Sequence, residues 1–323
     1  MMKPRVALLL LVAVIVAGCG QKSADLQDAA VPPDTALFEN GMKYLKKNQY
    51  IKARLAFQTL INTYPDSEFT PMSFLSIADS YYREGGTSNL LQAEAQYKDF
   101  IIFYPTHEMA DDSQLKVAAI NVRLMRAPDR DPTNSRKAMM ELRRFLRDYP
   151  DSPLAPTARE VLWEVEENLA FGVRMKGDFY HKKKRFGASS KRYEEVVRDY
   201  KNFSETDATL YSWADSLEKK GSIDQAATIY ERIAREFPFS QYHEKAIEKL
   251  TLLEREVPQV DQAAAERHLA NQRPVEGFSF FDPIRNVWKT FTGGQDIYEV
   301  ARQRAEEREN QELSSDTSGG SNQ

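Results

Sequence analysis

Cysteine is all but missing from this chain: Cys19 is the one cysteine among 323 residues. Without a second thiol there is no internal disulfide and no thiolate cluster for a metal. Histidine is scarce too. His107, His181, His243 and His268 stand far apart and none lies in a metalloprotease helix motif, so no histidine metal centre is expected. Strand-period alternation of useful length is absent. A phosphate-cradling glycine loop is absent as well, because Glu84-Gly85-Gly86 belongs to a turn and Gly293-Gly294 has no lysine after it. No charge of one sign dominates; the formal net charge is −4, which argues against a nucleic-acid binder. Asp111-Asp112 is the nearest approach to a paired carboxylate. Adjacent residues on a helix point apart, so the pair reads as first-turn charges favoured by the helix dipole. No catalytic constellation remains, and the expectation is a binding protein with no enzyme activity, no cofactor and no metal.

The hydrophobic runs are short. The longest, Ala7 to Ala17, falls well below the roughly 20 residues that span a bilayer, and polar Gln21, Lys22 and Ser23 follow it closely. Lys3 and Arg5 precede the run, and Val16-Ala17-Gly18-Cys19 closes it with small residues. This string resembles the lipobox of bacterial lipoproteins. The resemblance implies removal of residues 1–18, palmitate-type acylation of Cys19 as the new first residue, and a net charge of −6 after cleavage. Stable anchoring takes more than one acyl chain, which a lipidated cysteine supplies. Gly20 rather than Asp after the cysteine points to the outer membrane by the same resemblance. Residues 19–33 then read as a flexible tether.

Proline and glycine are sparse but placed with a period. Pro65, Pro105, Pro150 and Pro238 each follow an aromatic residue: Tyr64, Tyr104, Tyr149 and Phe237. Their spacing suggests a repeat of helical hairpins. Over the first unit the tetratricopeptide pattern places Gly41, Tyr44, Ala53 and Phe57 at its small, aromatic, small and aromatic positions before Pro65. Small residues let two antiparallel helices approach, aromatic residues fill the space, and proline ends the second helix. The second unit offers Ala78, Tyr81, Ala93 and Tyr97; the third Ala118, Asn121, Ala138 and Leu142 with a long loop from Ala127 to Asn134. The fourth gives Gly177, Tyr180, Ser189 and Tyr193, with Lys201 in place of proline, and the fifth Ala214, Leu217, Ala226 and Tyr230. Thr157 to Leu169 reads as an extra helical stretch between the third and fourth units. Pro65-Asp66-Ser67 and Pro150-Asp151-Ser152 supply side-chain acceptors for the first amides of the next helices. The fold class is all-α, a superhelical array of about five tetratricopeptide-like hairpins across residues 34–256 with a closing helix, Gln241 to Glu256. Residues 257–303 form a helical and aromatic extension containing Phe278, Phe280, Phe281, Ile284, Val287, Trp288 and Phe291, and 304–323 a polar tail.

Such an array presents grooves for peptides or partner helices. Phe74, Tyr81, Tyr82 and Arg83 are the candidate peptide-binding residues. Tyr44 and Tyr81 match positions that pack between helices, whereas Tyr82 and Arg83, a step further round, are expected at the surface. The basic run Lys182-Lys183-Lys184-Arg185 is a candidate partner site for anionic lipid headgroups or an acidic protein surface, set against a merely solvated turn.

A lipobox, a short tether and five units, two of them ending in Tyr-Pro-Asp-Ser (64–67 and 149–152), together resemble the BamD (ComL) family of outer-membrane-protein assembly lipoproteins, over about Cys19 to Leu250. The resemblance implies a periplasmic subunit in the inner leaflet of the outer membrane. Such a subunit binds a POTRA domain of the β-barrel insertase (BamA-like) and recognises unfolded outer-membrane protein precursors. By position, precursor recognition falls near Tyr81, Tyr82 and Arg83, and insertase binding on the hairpins from Gly177 to Phe239. The long third-unit loop, Lys201 and the aromatic tail depart from the family pattern. The alternatives are a lipid-anchored organiser of cell-wall synthesis or of secretin and pilus assembly.

Overall fold

Every repeat ends in the same turn, and that turn sets the architecture. In the computed structural model, which describes residues 34–271, the helices are α1 (Asp34–Lys46), α2 (Tyr50–Thr63), α3 (Thr70–Glu84), α4 (Thr87–Phe103), α5 (Ala110–Arg123) and α6 (Thr133–Asp148). They continue as α7 (Ala155–Lys182), α8 (Phe186–Asp199), α9 (Thr206–Lys220), α10 (Ile223–Glu236), α11 (His243–Leu252) and α12 (Gln262–Asn271). No strand occurs among the described residues. After α2, α4, α6, α8 and α10 an aromatic residue, Tyr64, Tyr104, Tyr149, Tyr200 or Phe237, leaves the helix with φ between −125° and −133° and ψ between 55° and 71°. Its N–H closes the last helical turn, and its carbonyl accepts from the residue three further on. Proline after the aromatic has no N–H to continue the ladder. The turn at Tyr200 is the same although Lys201 replaces proline, so the missing proline leaves no mark on the backbone.

The residue at the end of the motif fastens the hairpin shut. Ser67 accepts the Phe69 N–H at 3.2 Å and donates to Asp34 at 2.6 Å. Ser152 accepts from Leu154 at 3.2 Å and donates to Asp111 at 2.6 Å, and Ser240 accepts from Tyr242 at 3.0 Å and donates to Asp207 at 2.6 Å. Each aspartate lies in the first turn of its hairpin's first helix. The serine therefore supplies the acceptor expected of the motif, while Asp66 and Asp151 stay exposed. In the second unit His107 takes the serine's place, its Nδ1 accepting the Met109 N–H at 3.1 Å. In the fourth, Ser204 gives both its N–H and its hydroxyl to buried Glu167, at 2.7 and 2.6 Å.

The described residues fall into two compact units, divided after Thr70. The first is the α1–α2 hairpin. Its core is Leu37, Phe38, Leu45, Ala53, Phe57 and Leu60, all buried. A Cβ on Gly41 would lie 2.5 Å from the Phe57 ring, so the expected small–large pair is met in full contact.

In the second unit consecutive helices pack in sequence from α4 through α11, and α12 returns onto α10. Ala78, Ala93 and Tyr97 of the second hairpin are fully buried, as are Ala138 and Leu142 of the third and Ala214, Ala226 and Tyr230 of the fifth. Gly177 touches Tyr193, with 2.6 Å from a notional Cβ to the ring. The extra stretch Thr157 to Leu169 is not a separate helix. It runs without a break into the fourth hairpin as the 28-residue α7, about 42 Å long. Its first half packs on α6, with Ala158, Val161, Val165 and Leu169 in one core with Leu142 and Phe145. Nothing in 155–182 breaks a helix beyond its first turn, which is why the two segments fuse. The third-unit loop is pinned to α7: Asn168 donates to the Arg126 carbonyl at 3.3 Å and accepts from Ser135 at 3.0 Å, and a side chain at Gly172 would collide with the Pro128 carbonyl. The closing helix is shorter than expected, 10 residues, with Ala246 and Leu250 buried.

Candidate functional site

Helix α3 carries all four candidate peptide-binding residues, and the fold separates them. Phe74 is half-buried, and its ring lies 5.9 Å from those of Phe103 and Tyr104 at the end of α4. Phe103 is 61% exposed and its neighbour Ile102 71%. Together they form an apolar patch that includes one predicted residue and three unpredicted ones. The run Phe100-Ile101-Ile102-Phe103-Tyr104 contains its signal: five large apolar or aromatic residues in succession exceed what one helix face can bury.

Tyr82 corrects the reading of the sequence. It was expected at the surface and is 4% exposed, its ring edge-on to Tyr97 at 6.4 Å with the Arg123 guanidinium 5.7 Å above it. Burial raises the Tyr82 phenol well above its usual range, and the Arg123 charge only partly opposes this. Tyr81 is half-buried and Arg83 exposed. The step-round-the-helix argument fails because α3 is enclosed on most sides: Met72, Ser73, Leu75, Ser76, Ile77, Ala78, Asp79 and Ser80 are all buried. Short serines at 73, 76 and 80 permit that close approach.

Beneath Tyr82 lies an ionic cluster that sequence reasoning missed. Buried Lys116 of α5 sits 3.1 Å from Asp79 and 3.0 Å from Asp112. The Tyr97 hydroxyl donates to Asp79, and Lys116 stands 5.4 Å over the Tyr97 ring. Burial disfavours the lysine charge, but Asp112 and Asp79 outweigh it and hold the ammonium above the ordinary lysine range. Burial, reinforced by Asp79, likewise raises the Tyr97 phenol. These groups satisfy one another and are closed to solvent, an arrangement that fixes helix register and does not present a reactive group. The available hint was Asp112 followed by Lys116 inside a run of small and apolar residues.

Midway along the second unit, Lys182, Lys183, Lys184 and Arg185 are all exposed, where α7 turns into α8. Beside it a shallow depression of about 450 Å³ lies between Tyr180 and Ala188 and the charged Lys191, Arg192, Glu195 and Arg198. The histidines occupy unrelated places: His181 is 2.6 Å from Asp215, and His268 packs edge-on against Phe237 at 4.7 Å. Among the described residues no group of three His, Cys, Asp or Glu converges as a metal site, and no helix is long and apolar enough to cross a membrane. Cys19 and the aromatic segment Phe278 to Phe291 lie outside the described residues.

The hairpins with their shared turn coincide with a known family. Residues 31–229 match the model of YfiO, described as outer membrane lipoprotein. The chain belongs to this family. The match runs from just before α1 into α10, so α11 and α12 lie beyond it. Similar proteins include three described as outer membrane protein assembly factor BamD. That of Rickettsia prowazekii is 25% identical over 246 residues, covering 74% of this chain and 93% of its own. That of Vibrio cholerae is 23% identical over 220 residues, covering 64% and 88%, and that of Neisseria meningitidis 21% over 239, covering 69% and 88%. Among solved structures, MamA shares 16% identity with a TM-score of 0.28 over 71% of this chain and 98% of its own. The TPR2AB-domain–pHSP90 complex of yeast Sti1 shares 15% with a TM-score of 0.34 over 83% and 96%. Scores this low bear no argument, and the hairpin fold of this YfiO member rests on its own turns and cores.

Proposed function

We propose that this protein is a non-enzymatic scaffold for assembly of outer-membrane β-barrel proteins. The reading is supported by the YfiO family match and by relatives described as assembly factors. The structural observation that carries it is the patch of Phe74, Ile102, Phe103 and Tyr104, an exposed apolar surface held on two packed helices. Aromatic side chains of an unfolded precursor would bury there, giving up hydration for ring contact. Hairpins α7–α8 and α9–α10, with the mixed-charge depression beside Tyr180, would hold a POTRA domain of the insertase. Cys19, acylated, would anchor the chain in the inner leaflet facing the periplasm, raising the local concentration of both partners. The array would act by positioning one beside the other.

The test is affinity purification of the detergent-solubilised protein with mass spectrometry of what it retains. A POTRA-containing β-barrel protein is expected, together with precursor binding that Phe103→Ser weakens about tenfold without loss of thermal stability. Retention of cell-wall synthases or of a secretin, with no barrel insertase, would sink the reading.

A further inference from the structure

Three hairpin turns, α1–α2, α7–α8 and α9–α10, follow one plan, and the basic turn differs from the other two at one residue. The residue between α1 and α2 that adopts the left-handed conformation is Asn48; between α9 and α10 it is Gly221. The equivalent residue between α7 and α8 is Lys184, at φ 56°. The following residues Gln49, Arg185 and Ser222 share φ near −90° and ψ of 62–63°, so the turns superpose in conformation. A lysine in the left-handed region is strained where glycine or asparagine is not.

The turn around Lys184 is cationic, and in the adjoining depression Glu195 is paired with Arg192. Lys182, Lys183, Lys184 and Arg185 are exposed, and among the described residues none of them forms an ion pair. The α9–α10 turn comes alongside: Lys220 Cε is 4.0 Å from a notional Cβ on Gly187, and Lys219 stands 5.8 Å over the Phe186 ring. The nearby acids each have a partner already, one of them Lys219 of this edge. Asp215 holds His181 and Lys219, Glu218 holds Tyr230 and Lys249, Asp178 accepts from Tyr193, and Asp224 pairs with Arg255. Below the lysines on α7, Met175 and Phe179 are 46% and 55% exposed, and with Lys183 they repeat every four residues along one helix face. Lys183 lies 5.9 Å over the Phe179 ring.

We infer that this edge, the α7–α8 and α9–α10 turns with Phe179 and Met175 behind them, docks on the anionic phospholipid headgroups of the membrane to which the family belongs. Lysines predominate over arginine, and point charges without a bidentate fork suit a diffuse anionic surface better than a specific carboxylate pair. An aromatic ring and a thioether beside them match the headgroup–acyl boundary. The inference rests on membrane association of the family and not on the identity of any protein partner.

The test uses the full chain reconstituted into vesicles, with lysine acetylation followed by mass spectrometry. In vesicles containing phosphatidylglycerol, labelling of Lys182, Lys183, Lys184 and Lys220 should slow about fivefold relative to phosphatidylcholine vesicles, the equivalent of roughly 1 kcal/mol per lysine near an anionic surface. Lys201, at the far end of α8 about 20 Å away, should label equally in both. High salt should abolish the difference. In the variant Lys182→Gln/Lys183→Gln/Lys184→Gln, with helical content and melting temperature unchanged, Lys220 should lose its protection. Equal labelling in the two vesicles would overturn the inference. So would protection that appears only when solubilised assembly-machinery proteins are added, which would assign the edge to an acidic protein surface.

Discussion

Lys116 shows how far burial can depart from residue type. Its ammonium is enclosed between α3, α4 and α5 and balanced by Asp79 and Asp112. Removing one partner of such a cluster leaves the others buried and uncompensated, which costs about 3–5 kcal/mol. Lys116→Met should therefore lower stability at neutral pH by about that amount, measured by urea titration. The pH dependence has a definite sign. The folded-state lysine is held above its ordinary value of 10.5, so its contribution is complete below about pH 10.5 and is lost as pH rises toward the folded value. The Tyr97 and Tyr82 phenols are raised as well and act in the same direction above pH 10.0. The wild-type protein should lose stability steeply between about pH 10 and 12, and Lys116→Met more gently, with the tyrosine share remaining. Parallel curves would show that the lysine charge is not part of the fold's energetics. Only the Asp112–Lys116 spacing was legible in the sequence: whether a lysine is buried depends on what the next hairpin brings against it, whereas the spacing rules describe one helix at a time.

At the scale of the element, the sequence was readable wherever the information is local and complementary. Gly41 with Phe57, Gly177 with Tyr193 and the aromatic-proline turns are each decided by residues within one hairpin, and each formed as expected. Tyr82 and the continuity of α7 were misread because both depend on neighbours, one on enclosure of α3 and the other on the absence of a breaker across two repeats. The exposed patch was legible only at Phe74. Gly177→Ala should cost about 1–3 kcal/mol through overpacking against Tyr193, and Tyr193→Leu in the same chain should recover part of it, since the added methyl then has room. If Gly177→Ala is neutral by thermal melting, the close approach is not as drawn. The motif serine gives a paired expectation. Ser152→Ala removes the acceptor for the Leu154 amide and the donor to Asp111, and should cost about 1–2 kcal/mol. Lys201→Pro should be nearly silent, because Tyr200 already has the turn conformation of its proline-bearing counterparts.

Across the whole molecule, stability is distributed and not centred. In the second unit each helix packs mainly on its neighbours in sequence, and the cores of α5–α7 and of α9–α11 are separate clusters. Stability in such a fold is approximately a sum of repeat terms and nearest-neighbour contacts, so damage should stay near its origin. Leu250 of α11 is fully buried against the α9–α10 core with Tyr230, Ile233 and Ala246. Leu250→Ala should cost about 2–5 kcal/mol. Amide hydrogen exchange should then quicken in α9, α10 and α11 and remain unchanged in α5 and α6. A single cooperative core would instead lose protection everywhere by the same factor, and that outcome would refute the modular account. The distinction matters locally, because an array whose ends open independently can loosen at α11 without disturbing the apolar patch formed by Phe74 and Phe103.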